Sequence, residues 1–184
     1  MNIDVRVPIG KSGNWEIKEF TITEKAASFY NINCHGRPVK PGNYKKLTRN
    51  GAMVMSNTPL EIDDFMWFVN VARGDVIVAG LGLGVLLEAL IKENETKSIT
   101  VIEISSDVIK LVAPTFTNIK KIEIINADIF TWQPNGKKWD YGWFDIWDAI
   151  CFDNLKEMST LKRKFAKKVK EKHFWCESEC RNQR

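Results

Sequence analysis

Three glycines in the run GLGLG, Gly80, Gly82 and Gly84, follow a short apolar stretch and precede a helical pattern. An acid, Glu103, comes about twenty residues later, after a second apolar stretch. Glycine lets the chain turn sharply and lets a ligand approach the backbone without meeting a Cβ. The helix that follows presents its first N–H groups and the positive end of its dipole. A carboxylate just past a parallel strand can accept hydrogen bonds from both hydroxyls of a ribose. The order strand, turn, helix, strand, acid therefore points to nucleoside binding. The spacing is not GxGxxG, because Val85 stands where the third glycine would fall, and this argues against NAD or FAD. Further along, Asp145 and Asp148 flank Trp147 at the exit of another strand-like segment. Two carboxylates there suit a cationic amine, one holding it and one taking its proton. The alternative reading is a pair of solvated loop acids.

The elements that must position these residues can be read from hydrophobic period and turn chemistry. Segment 76–79 is a β-branched run between turn signals, as a buried parallel strand should be. A helix from 85 to about 93 follows, then strands at 99–102 and 122–125 and a more aromatic one at 143–147. Ser105-Ser106-Asp107 caps a helix that Pro114 stops. A long basic helix spans 155–172, capped by Asn154. Before Arg73-Gly74-Asp75 the chain is polar and turn-rich, with strand character at 15–23. Asn50-Gly51 favours a primed hairpin turn between strands 44–48 and 52–55, and Pro59 opens a helix over 60–71. Strands alternating with helices predict a parallel sheet covered on both faces. The domain division is 1–73, a β-hairpin and helix region, and 74–184, a nucleoside-binding domain.

Four segments carry a family resemblance: DVIVAGLGLG (75–84), VIEISSDVIKLV (101–112), INADIF (125–130) and WFDIWD (143–148). Together they resemble the successive motifs of class I S-adenosylmethionine-dependent methyltransferases, and within that superfamily the spermidine-synthase-like branch. NYKKLTRNGAMVMSNTPLEIDDF (43–65) resembles the hairpin region before that branch's nucleotide domain. The TRNG…MSxTP…GLGLG arrangement is also similar to a phage-associated set of short methyltransferase-like proteins. The resemblance covers about 43–165. It implies an α/β three-layer Rossmann-like sandwich on a shortened parallel sheet, with a small N-terminal β-hairpin region. It implies that Gly80, Leu81, Gly82 and Gly84 line the methionine part of the cofactor. Glu103 and Ile104 would meet the ribose, and Asp128 with the backbone at Ile129 would face the adenine amino group. Asp145 would stand beside the sulfonium, with Trp147 bounding the pocket. From chemistry alone, Asp128 serves equally as a strand-end cap. Strand four ends DIWD, without the Asn-Pro-Pro-aromatic run of amino-methylating DNA enzymes, which argues against base methylation. Beyond Asp148 the chain has room for a helix and at most a fifth strand.

Other features have a functional and a plain reading. The seven tryptophans are many for 184 residues. Trp139, Tyr141, Trp143 and Trp147 share one parity, which places them on one sheet face as an aromatic wall or as core filling. The lysines of 155–172 form either a solvated cationic face or a phosphate contact with nucleic acid. His173, Cys176 and Cys180 would share a helix face, but no paired CxxC accompanies them or Cys34-His35, so no metal is expected. The four cysteines are read as free thiols. Hydrophobic residues at 44% and charged residues at 27% are globular proportions, and the net charge of +4 does not by itself imply a nucleic-acid partner. No apolar stretch is long enough to span a membrane or to form a secretory leader, so a cytoplasmic protein is expected.

The leading reading is an S-adenosylmethionine-binding transferase, methyltransferase-like or spermidine-synthase-like, acting on an amine or other small nucleophile. S-adenosylmethionine or a related thio-nucleoside is the expected cofactor, with Asp145 and Asp148 as the catalytic pair. The rivals are a non-catalytic nucleoside sensor or subunit, and a weak nucleic-acid binder through the basic helix. A homodimer is expected, because a sheet that stops early leaves a strand edge to cover.

Overall fold

The computed structural model describes residues 3–33 and 38–183; Cys34-His35 lies outside them. The first sheet is antiparallel, in the order β1 (Gly10–Ser12), β2 (Trp15–Ile22), β3 (Gly42–Arg49), β4 (Ala52–Ser56), with α1 (Glu24–Asn33) between β2 and β3. Asn50 and Gly51 both have positive φ, 52° and 84°, as a primed hairpin turn requires. Helix α2 (Pro59–Val71) starts on its proline.

The second sheet contains β5 (Gly74–Ala79), β6 (Thr96–Glu103), β7 (Ile122–Asn126), β8 (Trp139–Phe144) and β9 (Val169–Phe174). Its order is β7-β6-β5-β8-β9, and every neighbouring pair is parallel. Helices α3 (Val85–Leu90), α4 (Ser106–Val112), α5 (Asn154–Lys164) and α6 (Glu177–Arg181) complete the chain, with a 3-10 turn at Ala113–Phe116. This is the α/β Rossmann-like arrangement expected, with its strand order reversing between β5 and β8. In open α/β sheets ligands bind at that reversal, outside the carboxyl ends of the strands.

Strand β5 shows why the sheet needs cover on both faces. Val76 and Val78 pack into one cluster with Phe65 and Phe68 of α2 and Leu87 of α3. Ile77 and Ala79 pack into another with Leu161 of α5 and Phe165. The first cluster also takes in Ile17 and Leu47 of the antiparallel sheet, so the two sheets share one apolar interior. Residues 3–7 add Ile3, Val5 and Val7, all buried. The Lys45 ammonium holds this extended segment by donating to the carbonyls of Val5 and Val7, at 2.9 and 2.7 Å. Among the described residues no helix is long and apolar enough to cross a membrane.

Three expectations need correction. The basic segment 155–172 is not one helix: α5 ends at Lys164 and β9 begins at Val169. Val169 and Phe174 are buried against the second cluster, and pairing with β8 satisfies a strand edge that a longer helix would leave open. The lysines are thereby divided. Lys162 pairs with Glu177 at 2.6 Å, Lys170 pairs with Asp140, and the ammonium of Lys172 donates to the Val169 carbonyl at 2.7 Å. Second, β8 occupies 139–144, so Asp145 and Trp147 lie past its end. Its tryptophans do not share one face: Trp139 packs in the cluster under α5 and Trp143 in that under α2. Third, His173 is on β9, Cys176 has a left-handed backbone before α6, and Cys180 is buried in α6, so the three share no helix face. Among the described residues no group of three side chains could hold a metal ion.

Candidate functional site

The glycine loop leaves β5 at its carboxyl end. Gly80 has φ +97°, and a Cβ there would come within 1.9 Å of the Asp145 carbonyl oxygen. The loop and the exit of β8 can approach this closely only without a side chain. The Gly80 N–H continues the pairing with β6 by donating to the Ile102 carbonyl at 2.9 Å. The N–H of Asp145 likewise donates to the Ala79 carbonyl at 2.9 Å. The loop and the β8 exit are therefore hung from the sheet.

Glu103, the last residue of β6, is buried at 8% exposure. Its carboxylate accepts the Leu81 N–H at 2.8 Å on one oxygen and the Ser105 N–H at 2.7 Å on the other. These bonds satisfy a buried charge and fix both oxygens. Two more loop donors are engaged: Leu83 N–H meets the Met55 sulfur at 3.3 Å, and Gly84 N–H the Leu81 carbonyl at 2.9 Å. Four of the five loop N–H groups, those of Gly80, Leu81, Leu83 and Gly84, are thus held within the chain.

Gly80, Leu81, Gly82, Glu103 and Ile104 line one cavity of about 400 Å³. Asp128, Ile129, Asp145, Trp147 and Asp148 line the same cavity. Gly84 does not. It is the left-handed residue before α3, and a Cβ on it would lie 2.7 Å from the Phe116 ring, so its smallness serves packing. Asp128 acts as the turn cap and also lines the cavity. One carboxylate oxygen accepts the Phe130 N–H at 2.8 Å in the turn after β7. The Lys164 ammonium clamps this turn by donating to the carbonyls of Ile129 and Phe130, both at 2.8 Å.

Asp145 and Asp148 have different surroundings. Burial pushes the Asp145 carboxyl up to about 7, the Asp64 and Glu61 carboxylates add to the rise, and a hydrogen bond with the Trp143 side chain opposes it. Asp145 is thus poised to take and release a proton near neutral pH. Asp148 is 47% exposed and forms an ion pair with Arg49 at the end of β3. The expected catalytic pair is thus one enclosed acid and one exposed acid tied to an arginine. Asp148 instead joins the antiparallel sheet to the β8 exit.

Several lining residues escaped the sequence reading: Trp15, Arg49, Met55, Glu61, Phe65 and Trp175. They come from β2, β3, β4, α2 and the turn after β9, far from the glycine loop in the chain. The one sequence signal was the tryptophan excess. The completed wall is acidic, with Glu61, Glu103, Asp128, Asp145, Asp148 and Glu157 facing a single arginine, Arg49.

The family described as ribosomal RNA adenine dimethylase matches residues 68–168 of this chain. Among solved structures, the 23S rRNA methyltransferase ErmE is similar at 21% identity and TM-score 0.43, over 53% of this chain and 36% of that one. A dimethyladenosine transferase from Plasmodium falciparum is similar at 19% identity and TM-score 0.44, over 59% and 37%. An S-adenosylmethionine-dependent methyltransferase from Clostridium acetobutylicum is similar at 18% identity and TM-score 0.44, over 61% and 46%. This chain spans less than half the length of each of the three. No curated protein matches it.

Proposed function

The chain belongs to the ribosomal RNA adenine dimethylase family, and from that premise we propose that it binds S-adenosylmethionine in the cavity at the β5–β8 reversal and transfers the methyl group to an amino nitrogen. The observation that carries this reading is the pair of carboxylates on either side of the glycine loop. Glu103 is fixed by two backbone N–H groups on one side. Asp145, raised toward neutrality, lies on the other.

The residues fit the cofactor. A carboxylate has about four lone-pair positions, and Glu103 uses one on each oxygen for the backbone, leaving one on each for the ribose hydroxyls. The turn at Asp128 and Ile129 takes the adenine end. The glycines leave the methionine end free of Cβ atoms, and the acidic wall suits a ligand with an ammonium and a sulfonium. When bound, the cofactor supplies an electrophilic methyl: the nitrogen lone pair forms the new N–C bond as the C–S bond breaks, leaving a neutral thioether. The chain's own contribution is positioning and proton handling. Asp145 accepts the proton that the acceptor nitrogen gives up, and passes it to water. Methyl rather than aminopropyl transfer is the reading the family favours over the spermidine-synthase-like branch.

A small cationic amine is the acceptor class supported by the acidic wall and by the sequence DIWD at the β8 exit. A second reading, the amino group of adenine in RNA, is favoured by the family match. The test is incubation with methyl-labelled S-adenosylmethionine and either a panel of small amines or an adenine-containing RNA, followed by mass analysis. Label on an amine supports the first reading and label on RNA the second. Binding of the cofactor with no labelled product from either arm would favour the non-catalytic rival.

A further inference from the structure

Charge is divided unevenly along the chain. Residues 1–56 hold nine lysines and arginines against four acids, while 57–184 hold 18 against 19. The positive excess therefore belongs to the segment that builds the antiparallel sheet, outside the family-matched residues 68–168. The basic segment after Asn154 is, by contrast, tied up internally. Its Lys162, Lys164 and Lys170 are held by Glu177, by the carbonyls of Ile129 and Phe130, and by Asp140.

Strand register sorts the side chains of the antiparallel sheet. Trp15, Ile17, Leu47 and Arg49 face the shared interior or the cavity. Alternation puts Lys18, Phe20, Tyr44 and Lys46 on the other face. Lys18 and Lys46 stand directly opposite one another, a like-charge pair that costs stability. Lys11 of β1 is opposite Glu16 and so diagonal to Lys18 on the same face. Glu16 pairs with Lys18 at 2.8 Å and is the one acid on this face of β1, β2 and β3. The Lys46 ammonium lies 5.2 Å from the centre of the Phe20 ring, which is 5.9 Å from that of Tyr44. Cations along an open sheet with an aromatic floor beside them suit a nucleic-acid backbone.

The cavity shows why such a hold is needed. Its acidic wall repels a polyanion. An RNA substrate must therefore be gripped by its phosphates outside the cavity and present only a base to it. The sheet is placed for this, because its inner side supplies Trp15, Leu47, Arg49 and Met55 to the cavity. Arg49, 47% exposed and paired with Asp148, stands at the rim. Lys18 and Lys46 are three residues along the strands from Trp15 and Arg49, about 10 Å. That is close to the roughly 8–10 Å over which salt screens charge, so the acids of the wall do not cancel these cations. We propose that the outer face of the antiparallel sheet, centred on Lys18 and Lys46, binds the phosphate backbone of an RNA strand and delivers one of its bases to the cavity. The delivery rests on the second acceptor reading above, adenine in RNA, whereas the backbone site does not.

The test titrates a short, dye-labelled, adenine-containing single-stranded RNA with the full chain, reading anisotropy at a series of salt concentrations. Each phosphate contact contributes about 0.7 to the slope of log affinity against log salt. Lys18→Gln combined with Lys46→Gln should flatten that slope by about 1.4 and weaken binding roughly tenfold or more at 0.1 M salt. Lys18→Arg combined with Lys46→Arg should retain both. Lys156→Gln combined with Lys167→Gln, an equal charge change on exposed lysines elsewhere, should leave affinity within about twofold. Removing two opposed like charges should leave the urea midpoint unchanged or raised, which separates a lost contact from a lost fold. No RNA binding by the wild type, a slope that the sheet variant leaves intact, or an equal loss in the Lys156 and Lys167 variant overturns the proposal. Equal affinity for poly-glutamate also overturns it and gives the face to an acidic peptide. Methyl transfer is read separately. Binding lost in the sheet variant, with label only on a small amine, upholds the backbone site while the RNA-acceptor reading falls. Label reaching RNA equally fast in wild type and sheet variant at limiting RNA upholds that reading while the backbone site falls.

Discussion

Replacing Glu103 with glutamine keeps the size of the side chain and removes its charge, so the consequences can be worked through bond by bond. In the wild type each carboxylate oxygen accepts one backbone N–H, from Leu81 at 2.8 Å and from Ser105 at 2.7 Å. Glutamine has only one oxygen. Either orientation of the amide points an NH₂ at one of these two donors, leaving a buried N–H without an acceptor at about 1–3 kcal/mol. The same NH₂ cannot accept from a ribose hydroxyl. Losing one hydrogen bond to a charged acceptor removes roughly 1.5–3 kcal/mol of binding, which is about 10- to 150-fold in Kd. Calorimetric titration with S-adenosylhomocysteine reads the second effect, and urea unfolding without ligand reads the first. Both should move, since the carboxylate that meets the ribose also holds the loop. An unchanged Kd would refute the ribose assignment, and an unchanged unfolding midpoint would refute the account of how the loop is held.

Asp145 predicts a pH dependence. Its carboxyl is raised to about 7 in the folded chain from about 3.9 unfolded. The folded state therefore binds the proton more tightly, and the contribution of Asp145 to stability is greatest below about pH 4 and is lost as pH rises toward about 7. Asp145→Asn should remove that slope in urea unfolding at a series of pH values, and should lower methyl transfer by roughly 10²–10⁴ with cofactor affinity within a few-fold. Equal slopes in the two proteins would count against the raised carboxyl. His173 acts in the opposite sense. Burial lowers its pKa, with Lys172 contributing and Glu171 opposing, so its contribution to stability is lost as pH falls below about 6.5. His173→Gln should flatten the acid side of the same curve. Gly80→Ala places a Cβ 1.9 Å from the Asp145 carbonyl oxygen at φ +97°. It should cost more than about 2 kcal/mol in thermal unfolding, and a smaller loss would mean that the β8 exit moves aside easily. Lys164→Met removes two bonds to the Asp128 turn and should destabilise by about 1–3 kcal/mol, with Lys164→Arg recovering part of it.

Local chemistry was readable wherever it is local. The Asn50-Gly51 turn and the Pro59 helix start were legible for this reason, and so was the Ser105 cap, whose hydroxyl accepts the Val108 N–H at 3.3 Å. Alternation of strands and helices in 74–126 announced the parallel sheet, because each strand buried on both faces reads as an apolar run. The segment after Lys164 was misread for a corresponding reason. VKEKHF is polar at most positions, as an edge strand tolerates, and only its place beside β8 makes it β9. Gly84 shows the limit of motif reading: it looks like its two neighbours in GLGLG, yet the space it saves belongs to Phe116 and not to a ligand.

The sequence by itself determined the half of the site built from neighbours in the chain: a glycine turn at a strand end, with an acid one strand further on. Those residues are positioned by backbone geometry that repeats wherever strand, turn and helix follow in that order. Only the tertiary structure decided the other half. Trp15, Arg49, Met55, Glu61 and Trp175 reach the cavity from elements distant in the chain. Packing also distinguished Asp145 from Asp148, two aspartates that look alike in DIWD. One is enclosed among carboxylates and indoles, while the other is exposed and held by Arg49. Proximity within the chain is written in the order of residues, but burial and charge partners across the chain exist only once distant surfaces have met.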